Sequence, residues 1–265
     1  MNRPLLGHLW RRHRVALLAL SAGSFLFQWV ITRAAPAPSK AETLRGLLAL
    51  VPPAVMNVFG SDLTAALSPR GFLALGWAHP FPLLMMAAWV VRVGASSLAG
   101  EIGRGTMDLV ASRPVPRTSV VLSALAVALG GLALIVAAGW AGTAVGLAMR
   151  PMEGAAARQL LGVAAGAWLL FAAFGCMTLL LSALRRHGGE AISLASGIMA
   201  VSFALDYLGR AWHPIAWARP LSLFAWYEPR RIIDGALAGG DVLVLGIVGL
   251  ACAGLALAAF HRRDL

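Results

Sequence analysis

Hydrophobic positions in this chain come in long, nearly uncharged runs separated by shorter polar intervals rich in arginine. The runs cover residues 15–32, 71–98, 118–149, 159–184, 190–209 and 241–260. About 20 apolar residues of helix cross the hydrocarbon core of a bilayer, so each run predicts a membrane-spanning helix. The third run holds no formal charge over its 32 residues. As helix it would measure about 48 Å, against a core of roughly 30 Å, which predicts that it tilts, breaks or protrudes. Pro80 and Pro82 predict a kink in the second span, where neighbouring helices must satisfy the released carbonyls.

The polar intervals have patterns of their own. Residues 1–14 place Leu5, Leu6, Leu9 and Trp10 on one helical side with arginines around them, predicting a short interfacial elbow helix on the membrane surface. Residues 33–70 form a long connection in which Leu44, Leu47, Leu48 and Val51 keep helical spacing, predicting an amphipathic surface helix. A cleaved signal peptide ending at Ala35-Pro36-Ala37 is disfavoured by the length of the first apolar run, the long basic start and Pro38 beyond the cut. Residues 210–240 gather Trp212, Trp217, Phe224, Trp226 and Tyr227, aromatics suited to headgroup depth. Pro229 then fits the first turn of a short helix with Ile232 and Ile233 inward and Arg230, Arg231 and Asp234 on the wetter side.

Composition agrees with the pattern. Of 265 residues 59% are hydrophobic and only 12% charged, about half the charge of ordinary soluble chains. The net charge of +11 would point to nucleic acid in a soluble protein. Here the basic residues flank apolar spans, where they set orientation and meet anionic headgroups, so no nucleic-acid partner is inferred. Arg92 is an exception, a charge within the second run. Either it is buried and paired, which would mark function, or it snorkels to the near interface, which costs less. Gly142/Gly146 and Gly162/Gly166 are spaced for close helix packing rather than as a mapped dimer seam.

The interval 100–117 is the most structured of the polar stretches. Thr106 can cap a short helix, with Asp108 near its positive start and Arg113 near its negative end. Pro114 and Pro116 stop it, and Met107 and Val110 share one face as a small apolar knob. Glu101, Gly105, Thr106, Leu109, Ser112, Pro114 and Arg117, set between the second and third spans, resemble the corresponding junction of bacterial ABC-2 type transporter permeases. Trp226, Tyr227, Pro229 and Gly235 resemble, less closely, the re-entrant segment that precedes the last span in that family.

The resemblance implies an all-α polytopic membrane protein in one domain. It would have six transmembrane helices, an N-terminal interfacial helix, a cytoplasmic coupling helix over 100–117 and an outer re-entrant segment over 210–240. It implies the permease subunit of an ABC exporter, driven by a separate ATPase subunit that carries the ATP and magnesium, in two copies. A second permease copy as homodimer partner and a periplasmic or accessory protein belong to the same picture. Met107 and Val110 would form the apolar core of the ATPase contact. Arg113 and Arg117 would supply its charge, and Glu101 would brace its start by salt bridge or capping.

Placing both termini in the cytoplasm puts 11 Arg in the inner intervals against 10 Arg or Lys in longer outer ones, with four acids inside and seven outside. The implied location is the bacterial cytoplasmic membrane. No G-x-x-x-x-G-K-[ST] phosphate loop occurs, so the chain is not expected to hydrolyse ATP itself. The six histidines are scattered singly, and Cys176 and Cys252 both lie in apolar runs, so neither a metal site nor a disulfide framework is predicted. No catalytic residues or cofactors are assigned. The rival readings are a membrane enzyme acting on lipid, with Asp206, His213 and Glu228 as acid–base groups at the outer interface, and a scaffold without transport.

Overall fold

The computed structural model describes residues 3–35, 46, 68–105, 116–152, 155–235 and 237–263. Among them the chain is helical throughout, without strands, and six helices are long and apolar enough to cross a membrane. The chain is a multi-pass helical membrane protein. In order, α1 is Arg3–Ala34, α2 Pro69–Ala78, α3 Pro80–Ser97, α4 Ala99–Gly103 and α5 Arg117–Met149. After a 3-10 turn at Ala157–Gln159 come α6 Leu160–Leu184 and α7 Gly188–Ala211. Two 3-10 segments, His213–Leu221 and Leu223–Trp226, lead to α8 Pro229–Asp234 and α9 Gly239–His261.

Several boundaries correct the sequence reading. The N-terminal elbow over 1–14 is not a separate helix, because α1 continues unbroken for 32 residues from Arg3 to Ala34. Arg11, Arg12 and Arg14 change the polarity of the helix surface but break nothing, and Pro4 lies in the first turn, where its missing N–H is harmless. The kink expected in the second span is a full break at His79, whose φ of −63° and ψ of 139° are extended. The ring of Pro80 excludes helical geometry from the residue before it. His79 then serves α3 as its N-cap, Nδ1 accepting the Phe81 N–H at 3.2 Å. The third span does not break: α5 runs 33 residues without interruption. The fifth span is longer than expected, since α7 takes up Gly188 and Gly189 at its start and Arg210 and Ala211 at its end. The surface helix expected around Leu44–Val51 lies outside the described residues, Gly46 apart.

α6 is the centre of the bundle, the most buried of the six spans, and it packs against α3, α5, α7 and α9. α1 lies along α5 in the most extensive helix pair of the structure. That pair approaches through glycine. A Cβ on Gly142 would run into the backbone carbonyl of Phe25, one on Gly146 would come within 2.7 Å of Thr32, and one on Gly139 within 2.6 Å of the Ser24 hydroxyl. Gly131 leaves room for the Trp89 indole, whose Nε1 donates to the Ala128 carbonyl at 2.8 Å. The Gly142/Gly146 pair therefore serves packing within the chain. Gly162 and Gly166 instead face Ile232, and Gly166 also Tyr227, so they seat the 227–234 segment on α6.

Contacts between the helix tips define two ends. The N-terminal end collects the start of α1, α4, the start of α5, the α6–α7 turn and the end of α9: Arg12 pairs with Glu101, and Arg117 donates to the carbonyls of His261 and Arg263. Arg263 in turn donates to the Ala183 and Arg185 carbonyls at 2.6 and 2.9 Å. At the far end, Arg150 donates to the carbonyls of Arg33 and Ala35 at 3.1 and 3.0 Å, closing the end of α1 against that of α5.

The α1–α5 seam yields a direct test. Gly142→Ala should destabilise the protein by about 1–3 kcal/mol, because the added methyl meets backbone rather than a side chain that can turn away. Gly130→Ala, with nothing within 4 Å of the new methyl, should leave stability unchanged or slightly raised. Thermal unfolding of both variants in detergent checks the difference, and equal melting temperatures would refute the seam.

Candidate functional site

At the N-terminal end, α3 and α4 meet at Leu98, and α6 stitches them together. Ser182 Oγ accepts the Ala99 N–H at 2.9 Å and donates to the Ala95 carbonyl at 3.1 Å. Glu101 follows in α4, its carboxylate accepting from Arg12 of α1 and, at 2.6 Å, from Arg104. The helix ends at Gly103, and the turn after it closes at Gly105, whose N–H donates to the Ile102 carbonyl at 2.9 Å. Gly105 has φ +68°, the left-handed geometry that glycine adopts without a Cβ penalty. Of the remaining proposed contact residues, Thr106, Met107, Val110, Arg113 and Pro114 lie outside the described residues, as do Asp108, Leu109 and Ser112. Arg117 opens α5, and its guanidinium is engaged by the chain's own C-terminal carbonyls. Glu101 and Arg117 thus each tie one flank of 106–115 into the bundle.

Between α3 and α7 runs a groove of about 890 Å³, floored by Phe171 of α6 and Phe224. Its lining extends along α3 from Pro80 to Ser96. Sixteen helical rises make that about 24 Å, most of the thickness of a hydrocarbon core. The walls are apolar for most of this length, with Leu84 and Ala88 on α3 facing Ile192, Met199 and Phe203 on α7. Ser196 of α7 is the one polar side chain along these walls; the other polar groups gather toward the N-terminal end, where Arg12, His13, Arg92 and Ser96 join the lining. His13 is buried, its ring edge-on to Trp89 with centroids 6.1 Å apart. Its Nε2 lies 3.5 Å from Ser96 Oγ, and its Nδ1 is buried with no hydrogen-bond partner among the described residues. Arg92 is exposed on the groove wall. No hydrogen bond or ion pair engages it among the described residues.

The far end of the groove is closed by the segment after α7. Phe224 packs edge-on to Phe203 at 5.4 Å and to Phe171 at 6.1 Å. Ser222 Oγ donates to the Ser202 carbonyl at 2.6 Å, and the Leu223 N–H donates to Ser202 Oγ at 3.0 Å. Asp206 accepts from Arg210 at 3.1 Å and from Arg219 at 2.9 Å, and the same two arginines reach Glu228 at 3.4 and 3.9 Å. Asp206 and Glu228 therefore belong to one ion-paired ring that fastens 213–228 onto the end of α7, while His213 is exposed nearby. Tyr227 is buried, its hydroxyl 3.5 Å from the Trp77 carbonyl, and burial pushes its phenol above the usual range. Trp226 Nε1 donates to the Pro220 carbonyl at 3.1 Å, and Pro229 opens α8. α8 buries Ile232 and Ile233 and ends at Gly235. α9 has Ala238 as its N-cap, and Asp241 is buried in its first turn, where it pairs with Arg231.

The four residues proposed for the outer segment are thus neighbours in one structure, and its anchors on α7 and α6 are Asp206, Ser202, Gly162 and Gly166. The groove itself escaped the sequence reading, because it depends on how α1, α3, α6 and α7 are arranged. Arg92 was its one visible trace, a charge in an otherwise uncharged run. No family model matches the chain, and no curated protein matches it.

Asp206→Asn should loosen the far-end closure. Losing two charge-assisted hydrogen bonds costs local stability of about 1–3 kcal/mol, so tryptic cleavage at Arg210–Ala211 should speed up roughly tenfold. Cleavage at the wild-type rate would show that the ring does not hold the segment down.

Proposed function

We propose that this chain is the membrane-spanning subunit of an ABC exporter, driven by ATP hydrolysis in a separate ATPase subunit that docks on residues 100–117. The assembly would contain two such ATPases and a second permease copy, in a bacterial cytoplasmic membrane with both termini in the cytoplasm. The ATP and magnesium would belong to the partner.

The observation that carries this reading is how both flanks of 106–115 are attached. On one side Glu101 is fastened to Arg12, and so to α1, while Ser182 fastens the α3–α4 junction to α6. On the other, Arg117 leads through the Arg263 carbonyl to the ends of α9 and α6. A displacement of the segment would therefore reach four spans through hydrogen bonds and ion pairs rather than through slack chain. ATP-driven closure of two ATPases could bias the bundle by this route, provided the ATPase contacts the two arrangements differently. The seven-position resemblance at 101–117 adds to this support. The lipid-enzyme alternative gains nothing from Asp206 and Glu228, which are occupied by Arg210 and Arg219.

The test is Glu101→Ala combined with Arg117→Ala in reconstituted vesicles with the partner ATPase. Transport-coupled ATPase activity should fall roughly tenfold, the effect of about 1.4 kcal/mol, while insertion and yield stay unchanged. Full coupling in the double variant would remove the assigned role.

A further inference from the structure

The groove between α3 and α7 is chemically lopsided. Most of its length is apolar, with Ser196 of α7 the one polar side chain along the wall, and its basic groups sit together with Ser96 at the N-terminal end. Two of them lack the partners that their position demands. Arg92 lies five residues before the end of α3, and no carboxylate or carbonyl engages it among the described residues. A cation at that depth is costly unless it is paired or reaches water. His13 is only 2% exposed, and its Nδ1 has no hydrogen-bond partner among the described residues. A buried polar atom without a partner calls for an explanation of its own. Glu101, on the following helix α4, is committed to Arg12 and Arg104.

We propose that the groove holds one anionic membrane lipid, its phosphate-type headgroup on Arg92 beside His13 and Ser96 and its acyl chains along the apolar wall toward Pro80. Charge complementarity selects the head: Arg92 and His13 offer donors, and no free carboxylate among the lining residues repels an anion. Length selects the tail. From Arg92 to Pro80 is twelve helical rises, about 18 Å, close to the roughly 15 Å of one leaflet's hydrocarbon. The 890 Å³ of the groove lies within the range of about 300–1,000 Å³ usual for ligand sites. Phe224 and the ion-paired ring beyond it close the far end, so the chains enter sideways between α3 and α7. The identification deepens the transporter reading and rests on it for the lipid's role as cargo. The binding itself requires no ATPase and is tested without one.

The experiment uses the full chain in mixed micelles of phosphatidylglycerol and phosphatidylcholine, with retained lipid counted by native mass spectrometry. The wild type should retain phosphatidylglycerol in preference. Arg92→Gln should reduce that preference about fivefold, the effect of one basic residue on an anionic lipid. Arg14→Gln, a charge-matched control on an exposed arginine outside the groove, should not. Ala88→Trp, which fills the exposed groove wall without entering the core, should lose both lipids. An unchanged preference in Arg92→Gln overturns the proposal. So does displacement of the lipid by glycerol 3-phosphate, which would make the site one for free anions. Retained lipid in Ala88→Trp together with separation of two copies would assign the groove to a second copy instead. Since no ATPase takes part, failure here leaves the coupling test standing, and failure of coupling leaves this one standing.

Discussion

Helix ends leave carbonyls without partners, and in apolar surroundings those carbonyls must find donors within the protein. This chain meets that demand largely with arginine. Arg150 closes α1, Arg117 closes α9, and Arg263 closes α6, each by donating to carbonyls at a helix terminus. Indole donors link helices inside the bundle instead, away from helix ends: Trp89 and Trp168 donate to the mid-helix carbonyls of Ala128 and Leu129 on α5. The arginine excess that looks like a surface feature in composition is therefore partly a set of cross-links between helix ends. Arg263 feels the burial this requires, which lowers its guanidinium from its ordinary value, with Arg186 nearby adding to the effect.

These cross-links make the N-terminal end behave as one piece. Glu101 and Arg117 stand on either side of the proposed ATPase contact, and each is tied to helices that are distant in sequence. The other end is built differently. There a ring of Asp206, Arg210, Arg219 and Glu228, a pair of serines and a cluster of phenylalanines fasten a 3-10 segment over α7. Between a fastened floor and a fastened cap lies the open groove, flanked by α7, one of the less buried spans. A bundle with stiff ends and a loosely covered middle can change the width of that middle without unpicking either end.

What the sequence revealed and what it hid follow from the range of the interactions involved. Long uncharged runs are decided locally by hydropathy, so the six spans were legible, and Ile232 and Ile233 were rightly turned inward. Charge was a poor guide to helix boundaries: Arg11–Arg14 suggested a separate elbow, yet arginine favours helix and α1 runs straight through. The break at His79 is half visible in sequence: Pro80 predicts a kink, and the structure turns it into a full break because the proline ring holds the residue before it extended. The groove and the His13–Arg92–Ser96 cluster were not legible, because they arise where α1, α3 and α7 meet, with no periodicity or spacing to announce them. The proposed ATPase contact is legible in sequence alone, its central residues 106–115 lying outside those the structure describes.

The measurement that bears most directly on the account is site-specific photo-crosslinking from position 110, in native membranes that produce this chain. The account predicts an adduct with a soluble protein carrying a phosphate-loop motif, formed from the cytoplasmic side and altered by ATP. Crosslinking to lipid alone, or labelling that reaches position 110 only from the opposite side of the membrane, would contradict it.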